Sequence, residues 1–247
     1  LRMLRAARIT TTLGFEIDKA TETAIQRNAD RISAISMERV RDELVRLFLE
    51  AQRAGQALLL LDRLGLLAPL LPEVAAMQGQ EQPPEFHPEG DVFTHTVMLL
   101  DMMESRSRQL VFSALLHDIG KPVTAATDEN GRIRFNRHAN IGADMARVIM
   151  RRLRFSNDDI NAVTHCVGNH MRFVDATRMK SSTMRKFVGS SMFPIELELH
   201  RLDCLASHGK LDTYGYIQDF QKSLAEEPVL PRAWITGRDL LETSQPE

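Results

Sequence analysis

An apolar run that ends in two metal-competent side chains constrains this chain more than any other feature. Leu110, Val111, Phe112, Ala114, Leu115 and Leu116 are followed at once by His117-Asp118 and then by Ile119-Gly120-Lys121-Pro122. A run of that length reads as a core helix, with glycine stopping it and proline keeping it stopped. An imidazole and a carboxylate are therefore expected at a helix C-terminus, their direction set by the packing behind them.

Most of the remaining chain carries the helical period. Residues 4–13 start one helix ending near Gly14, Asp18 opens a second over 19–29, and Ser36 is a candidate N-cap for 37–51. In the third, Val40, Leu44, Leu47 and Phe48 make an apolar stripe with the arginines mostly outside it. Residues 56–71 are apolar but broken by Gly65 and Pro69, which suits short packed helices and not a membrane span. The polar, proline-containing stretch 78–84 is the best domain boundary. Beyond it, helices are expected over 91–104, 108–117, 139–152, 157–169, 183–188, 195–207 and 214–224, then an irregular tail around Pro228 and Pro231. A single strand-like segment, 132–135, follows the turn signal Asp128-Glu129-Asn130-Gly131. The expected class is all-α.

Charge and cysteine content limit the partners. A net charge of −2 argues against general affinity for nucleic acid or membrane, yet nine Lys/Arg stand against three Asp between Arg147 and Lys186. That local excess suits a phosphate ester or an RNA backbone, and equally a solvated helix face. Cys166 and Cys204 form no CxxC pair and read as small core residues, which points to a reducing cytoplasm. Apolar positions between Val40 and Leu71 are candidates for a homodimer contact.

Several further groups extend the His117-Asp118 pair. His95 lies near the start of a helix and Asp203 sits among apolar neighbours, where an unpartnered carboxylate is costly. These four are the expected ligands of a divalent ion. Mixed imidazole and carboxylate donors suit Mn²⁺, Fe²⁺, Co²⁺, Ni²⁺ or Zn²⁺, with Mg²⁺ a weaker candidate. Such an ion acidifies water and neutralises charge at phosphorus. His138 and His170, converging on Asp118, would make a second metal position, so one or two ions are expected. Asp118 and Lys121 are the candidate catalytic groups, and Lys121, Arg137 and Arg172 the candidate substrate-binding ones. Asp91, four residues before His95, is a ligand or an N-cap. His165 is read as lying behind the ligands or as structural, and His87, His200 and His208 as structural.

The strings Phe86 to Thr96, Leu115 to Pro122, and Arg132 to Phe135 with His138 resemble the HD domain of bacterial tRNA nucleotidyltransferases, the CCA-adding and poly(A)-polymerase-like family. The strings 153–157 and 167–171 continue the resemblance. Residues 1–8, 13–18 and 36–40 resemble the neck and body helices that follow that family's catalytic head. Arg2 matches the last residue of the family's EDxxR segment, and 235–241 also match. The resemblance implies a neck/body-like region over 1–78 with RNA-binding ancestry, an HD phosphohydrolase domain over 79–212, and a helix and tail over 213–247. The family's GxDxD carboxylate pair is missing from these residues, so CCA addition is not expected of them. What the resemblance implies instead is metal-dependent phosphodiesterase or phosphatase action. The competing expectation is an RNA- or tRNA-binding fragment whose histidine pocket is structural.

Overall fold

A computed structural model describes residues 1–224 apart from 84 and 86. The expected tail around Pro228, the matching segment 235–241 and Phe86 lie outside the described residues. The elements run α1 (Arg2–Leu13), α2 (Lys19–Asn28), a 3-10 turn (Ala29–Ala34), α3 (Met37–Glu50), α4 (Ala54–Arg63), α5 (Leu67–Leu70) and α6 (Pro72–Ala75). Next come α7 (Val92–Asp101), α8 (Arg108–Leu116), α9 (Lys121–Thr124), β1 (Ala125–Thr127) and β2 (Ile133–Phe135). The series ends with α10 (His138–Arg152), α11 (Asn157–Asn169), a 3-10 segment (His170–Arg178), α12 (Ser181–Val188), α13 (Phe193–Ala206) and α14 (Asp212–Ser223). The fold is all-α, as expected from the period. Among the described residues, no helix is long and apolar enough to cross a membrane.

Helix starts follow local chemistry. Asp18 accepts from the amides of Ala20 and Thr21, Ser107 from Leu110 and Ser156 from Asp159. Ser36 holds the N-cap position of α3 but makes no side-chain cap bond. Asp91 caps α7 through Thr94 N at 2.7 Å and also accepts from Gly79 N at 2.6 Å, so it acts as the cap and as a tie to the preceding loop.

The expected strand forms over 133–135, but its partner β1 carried no sequence signal. Ala125-Ala126-Thr127 pairs antiparallel with it, Ala125 opposite Phe135, and is exposed throughout. A three-residue exposed strand has no buried face to imprint an alternation.

One apolar core is continuous from Leu4 in α1 to Ala206 in α13. Phe112 packs against Phe48 at 6.2 Å and Phe155 at 4.7 Å between ring centroids, each in edge-on contact. Such pairs contribute about 0.5–1.5 kcal/mol each beyond burial, and they hold α8 rigid directly behind His117. Asp101 of α7 accepts from Gly55 N at 2.7 Å, joining the N-terminal helices to the rest. A Cβ at Gly55 would meet Val97 O at 2.1 Å, so only glycine permits that approach.

The apolar positions of 40–71 are consumed inside the chain. Val40, Leu44, Leu47, Phe48, Leu58 and Leu61 are all fully buried, leaving Leu59 as the exposed large side chain of that region. The stripe that suggested a dimer contact is thus an intrachain core face. Phe173, Phe187 and Phe193 form a smaller cluster with Ile217 that anchors the last helices.

Candidate metal centre

His117 occupies the C-cap of α8, and Asp118 lies in the turn that follows. Gly120 follows the end of α8 in a right-handed conformation, with φ −80°. Its absent side chain serves the packing, since a Cβ there would meet His138 O at 2.2 Å. Glycine lets the start of α10 lie against the turn, which brings His138 to Asp118. Lys121-Pro122 then opens the one-turn helix α9, with proline where a missing N–H costs nothing.

The four expected ligands His95, His117, Asp118 and Asp203 come together, and His138 and His170 join them. Every imidazole has its Nδ1 committed. His117 Nδ1–H donates to Ala114 O at 2.8 Å, His138 to Phe135 O at 2.8 Å and His170 to Val167 O at 2.7 Å. His95 Nδ1–H donates to Glu89 Oε1 at 2.6 Å. Carbonyls and carboxylates only accept, so each ring is held with its Nε2 facing the centre.

Those Nε2 atoms converge on two carboxylates. His95 Nε2 lies 3.0 Å and His117 Nε2 4.0 Å from Asp203 Oδ1, and His117 Nε2 lies 3.2 Å from Asp118 Oδ2. On the other side of Asp118, Oδ1 is 3.6 Å from His138 Nε2 and 3.7 Å from His170 Nε2. The ligand atoms of His95, His117 and Asp118 lie within 4.8 Å of one another, as do those of Asp118, His138 and His170. Asp118 is common to both sets.

A cation fits both sets on electrostatic grounds. The Nε2 atom of His117 is buried and makes no hydrogen bond, an expensive condition for a polar atom. His138 and His170 bring two Nε2 atoms to 3.1 Å while both keep Nδ1–H on a carbonyl. A cation held between those two atoms would relieve their mutual repulsion. Asp203, with 28% of its side chain exposed, opens onto solvent while Asp118 is buried beneath it.

The titration behaviour agrees. Burial opposes ionisation of Asp118, but His117 and Lys121 outweigh it and hold the carboxyl well below the usual range. Burial opposes Asp203 in the same way, and His95 overcomes it. At His95 burial disfavours the cation, yet Asp203 and Glu89 prevail and raise it to about 9. Burial lowers His170 to about 4, which keeps its ring neutral.

The other expected groups are placed differently. Lys121 Nζ donates to Asp118 Oδ2 and to Gln82 Oε1, both at 2.6 Å, and has one N–H beyond these two. Arg137 is exposed at the start of α10 in a left-handed conformation, φ 63°, and is not among the residues lining the basin over the centre. Arg172 turns its guanidinium over the Phe187 ring at 4.4 Å and faces Glu196, also away from the basin. Arg132 and Arg134 of the hairpin line it instead. His165 lies 3.2 Å from Glu196 and outside the centre, while His87, His200 and His208 line the basin wall.

Glu89 carried no signal in the sequence reading. It accepts from both His95 and His87, the latter at 2.9 Å. Gly90, at φ 124°, makes the turn that folds it back onto α7. An acidic residue beside such a glycine just before a ligand-bearing helix was the available clue.

Fold and centre together define an HD-domain protein, and the HD domain family matches residues 91–207. A second family, described as the probable RNA and SrmB-binding site of polymerase A, matches residues 14–78. An A-adding tRNA nucleotidyltransferase of Deinococcus radiodurans is 34% identical, the alignment covering 98% of this chain and 58% of the relative. A CC-adding tRNA nucleotidyltransferase of Thermus thermophilus is 32% identical over 98% of this chain and 57% of its own length. A multifunctional CCA protein of Halorhodospira halophila is 34% identical over 83% and 51%. The chain belongs to this HD-domain-containing tRNA nucleotidyltransferase family, and it spans little more than half the length of the relatives it matches.

Proposed function

We propose that this chain is a divalent-metal phosphohydrolase whose main substrates are phosphodiesters, 2′,3′-cyclic nucleotides among them. The supporting observation is the convergence of four Nε2 atoms, each with its Nδ1–H committed elsewhere, on Asp118 and Asp203. His95, His117, Asp118 and Asp203 would hold one ion, and Asp118, His138 and His170 a second. A bound divalent ion supplies Lewis-acid stabilisation of charge on phosphorus and acidification of water. Lys121 keeps Asp118 ionised and offers its remaining N–H to a phosphoryl oxygen. Glu89 holds the His95 tautomer. Arg132 and Arg134, rather than Arg137 and Arg172, stand where a substrate would enter. CCA addition is not proposed for these residues.

Purified protein supplied with Mn²⁺, Co²⁺, Ni²⁺ or Mg²⁺ should hydrolyse bis(p-nitrophenyl) phosphate and 2′,3′-cyclic AMP. Asp118→Asn should abolish this with the fold retained. Inactivity of the metal-supplied parent on both esters would sink the proposal. Metal analysis decides the stoichiometry: two equivalents per chain support the second position, and one removes it.

A second reading rests on the match over 14–78 and on the tRNA-directed names of the relatives. In it the chain binds RNA or tRNA through its N-terminal helices. Binding should then weaken with salt and survive both chelation and Asp118→Asn. A cytoplasmic setting accompanies either reading, consistent with two free, buried cysteines.

A further inference from the structure

The basin over the centre has an accessible volume of about 490 Å³, within the range of small-molecule sites. Its floor is Asp118, His138, His170 and Asp203, and its walls are of another character. The hairpin contributes Ile133 and Phe135 on one side, and the 3-10 segment after His170 contributes Met171 and Val174. Met171 is 45% and Val174 68% exposed, so these apolar side chains stand at the mouth with much of their surface uncovered.

Apart from the divalent ions that the floor would hold, the cations of the basin are already matched. Lys121 is held by Asp118, Arg134 by Asp128 at 2.9 Å and Arg132 faces Glu85 at 3.7 Å. Each lysine or arginine in the lining therefore answers a carboxylate of this chain. A phosphomonoester dianion or a polyphosphate calls for cations in excess, usually arginine or lysine aimed at its oxygens. A singly charged diester makes a smaller demand and adds a second organic group that apolar walls can cover.

Building on the hydrolase reading, we infer that the Ile133–Phe135 and Met171–Val174 walls select singly charged phosphodiesters carrying a bulky apolar or aromatic substituent, against dianionic monoesters and triphosphates. The walls grip the substituent that is not the leaving group while the floor holds the phosphate.

Two measurements on the metal-loaded full chain test this. In turnover, bis(p-nitrophenyl) phosphate and methyl p-nitrophenyl phosphate share a leaving group and a charge and differ in the second substituent. The aryl diester should have kcat/KM at least about tenfold higher, a plausible factor for an apolar pocket, and p-nitrophenyl phosphate and ATP should be poorer than it. In binding, diphenyl phosphate should compete for the site about tenfold more tightly than dimethyl phosphate or phenyl phosphate. Val174→Ser and Met171→Ser, both at exposed positions, should bring the aryl-to-methyl ratios toward one. Equal affinities for diphenyl and dimethyl phosphate, or ratios unmoved by both substitutions, would overturn the inference. Aryl-selective binding without turnover of any ester would leave the selectivity standing and sink hydrolysis alone.

Discussion

Replacing Glu89 with Gln removes a negative charge from behind His95 without changing side-chain size. Glu89 Oε1 accepts from His95 Nδ1 at 2.6 Å and from His87 Nδ1 at 2.9 Å, and its side chain is nearly buried. A hydrogen bond to a charged partner contributes about 1.5–3 kcal/mol. Loss of a carboxylate behind a metal-binding histidine typically weakens metal affinity about 10–100-fold, or about 1.4–2.7 kcal/mol. Glu89→Gln should therefore raise the Kd for Mn²⁺ or Zn²⁺ by that factor and lower the melting temperature of the metal-free protein by roughly 3–10 °C. Its His95 should also titrate below the parent value of about 9, because one of the three carboxylates that raise it is neutralised. Calorimetric titration of chelator-treated protein gives the first quantity, thermal denaturation the second and imidazole NMR the third. A folded variant that binds metal within twofold of the parent would refute the idea that Glu89 supports a ligand.

Asp118→Ala should destabilise the chain by about 3–5 kcal/mol, since it leaves the Lys121 ammonium buried without its carboxylate; denaturant midpoints would show this, with Asp118→Asn losing much less. Gly120→Ala should cost about 1–3 kcal/mol through displacement of α10 and weaken metal binding with it, read by melting and by calorimetry. In the metal-free protein the His95 proton stabilises the fold fully below its unfolded pKa of about 6.5, and that contribution disappears as pH rises through about 9. His170 has the opposite sign: held neutral, it costs stability as pH falls from about 6.5 toward its folded value of about 4. Denaturation midpoints should accordingly decline on both sides of neutrality, and a flat profile from pH 7 to 10 would contradict the His95 assignment. Metal binding must displace the His95 proton, so affinity should climb about tenfold per pH unit below 9.

Local pattern carried much of the architecture and the outline of the centre. Helix periods and caps such as Asp18 and Asp91 depend on neighbours within one turn, and the residues bear them openly. His117-Asp118 was legible because an apolar helix and a stop signal stand on either side of it. Arg137 and Arg172 stand away from the basin for a geometrical reason. Arg137 and Arg172 lie one and two residues from His138 and His170, and positions one or two apart on a helix do not face the same way. Only the tertiary fold could turn Arg172 onto Phe187 and bring Arg132 and Arg134 to the basin.

By itself, then, the sequence determined an all-α chain, the family resemblance and the set of imidazoles and carboxylates available to a metal. The packing decided how those groups are used. It set the convergence of the four Nε2 atoms on Asp118 and Asp203, the Lys121–Gln82 contact across 39 positions, and the apolar walls of the basin. The Nδ1 bonds are local, each reaching a group three to six residues earlier. The convergence of the rings and their burial join residues far apart in the chain, so no local pattern encodes those.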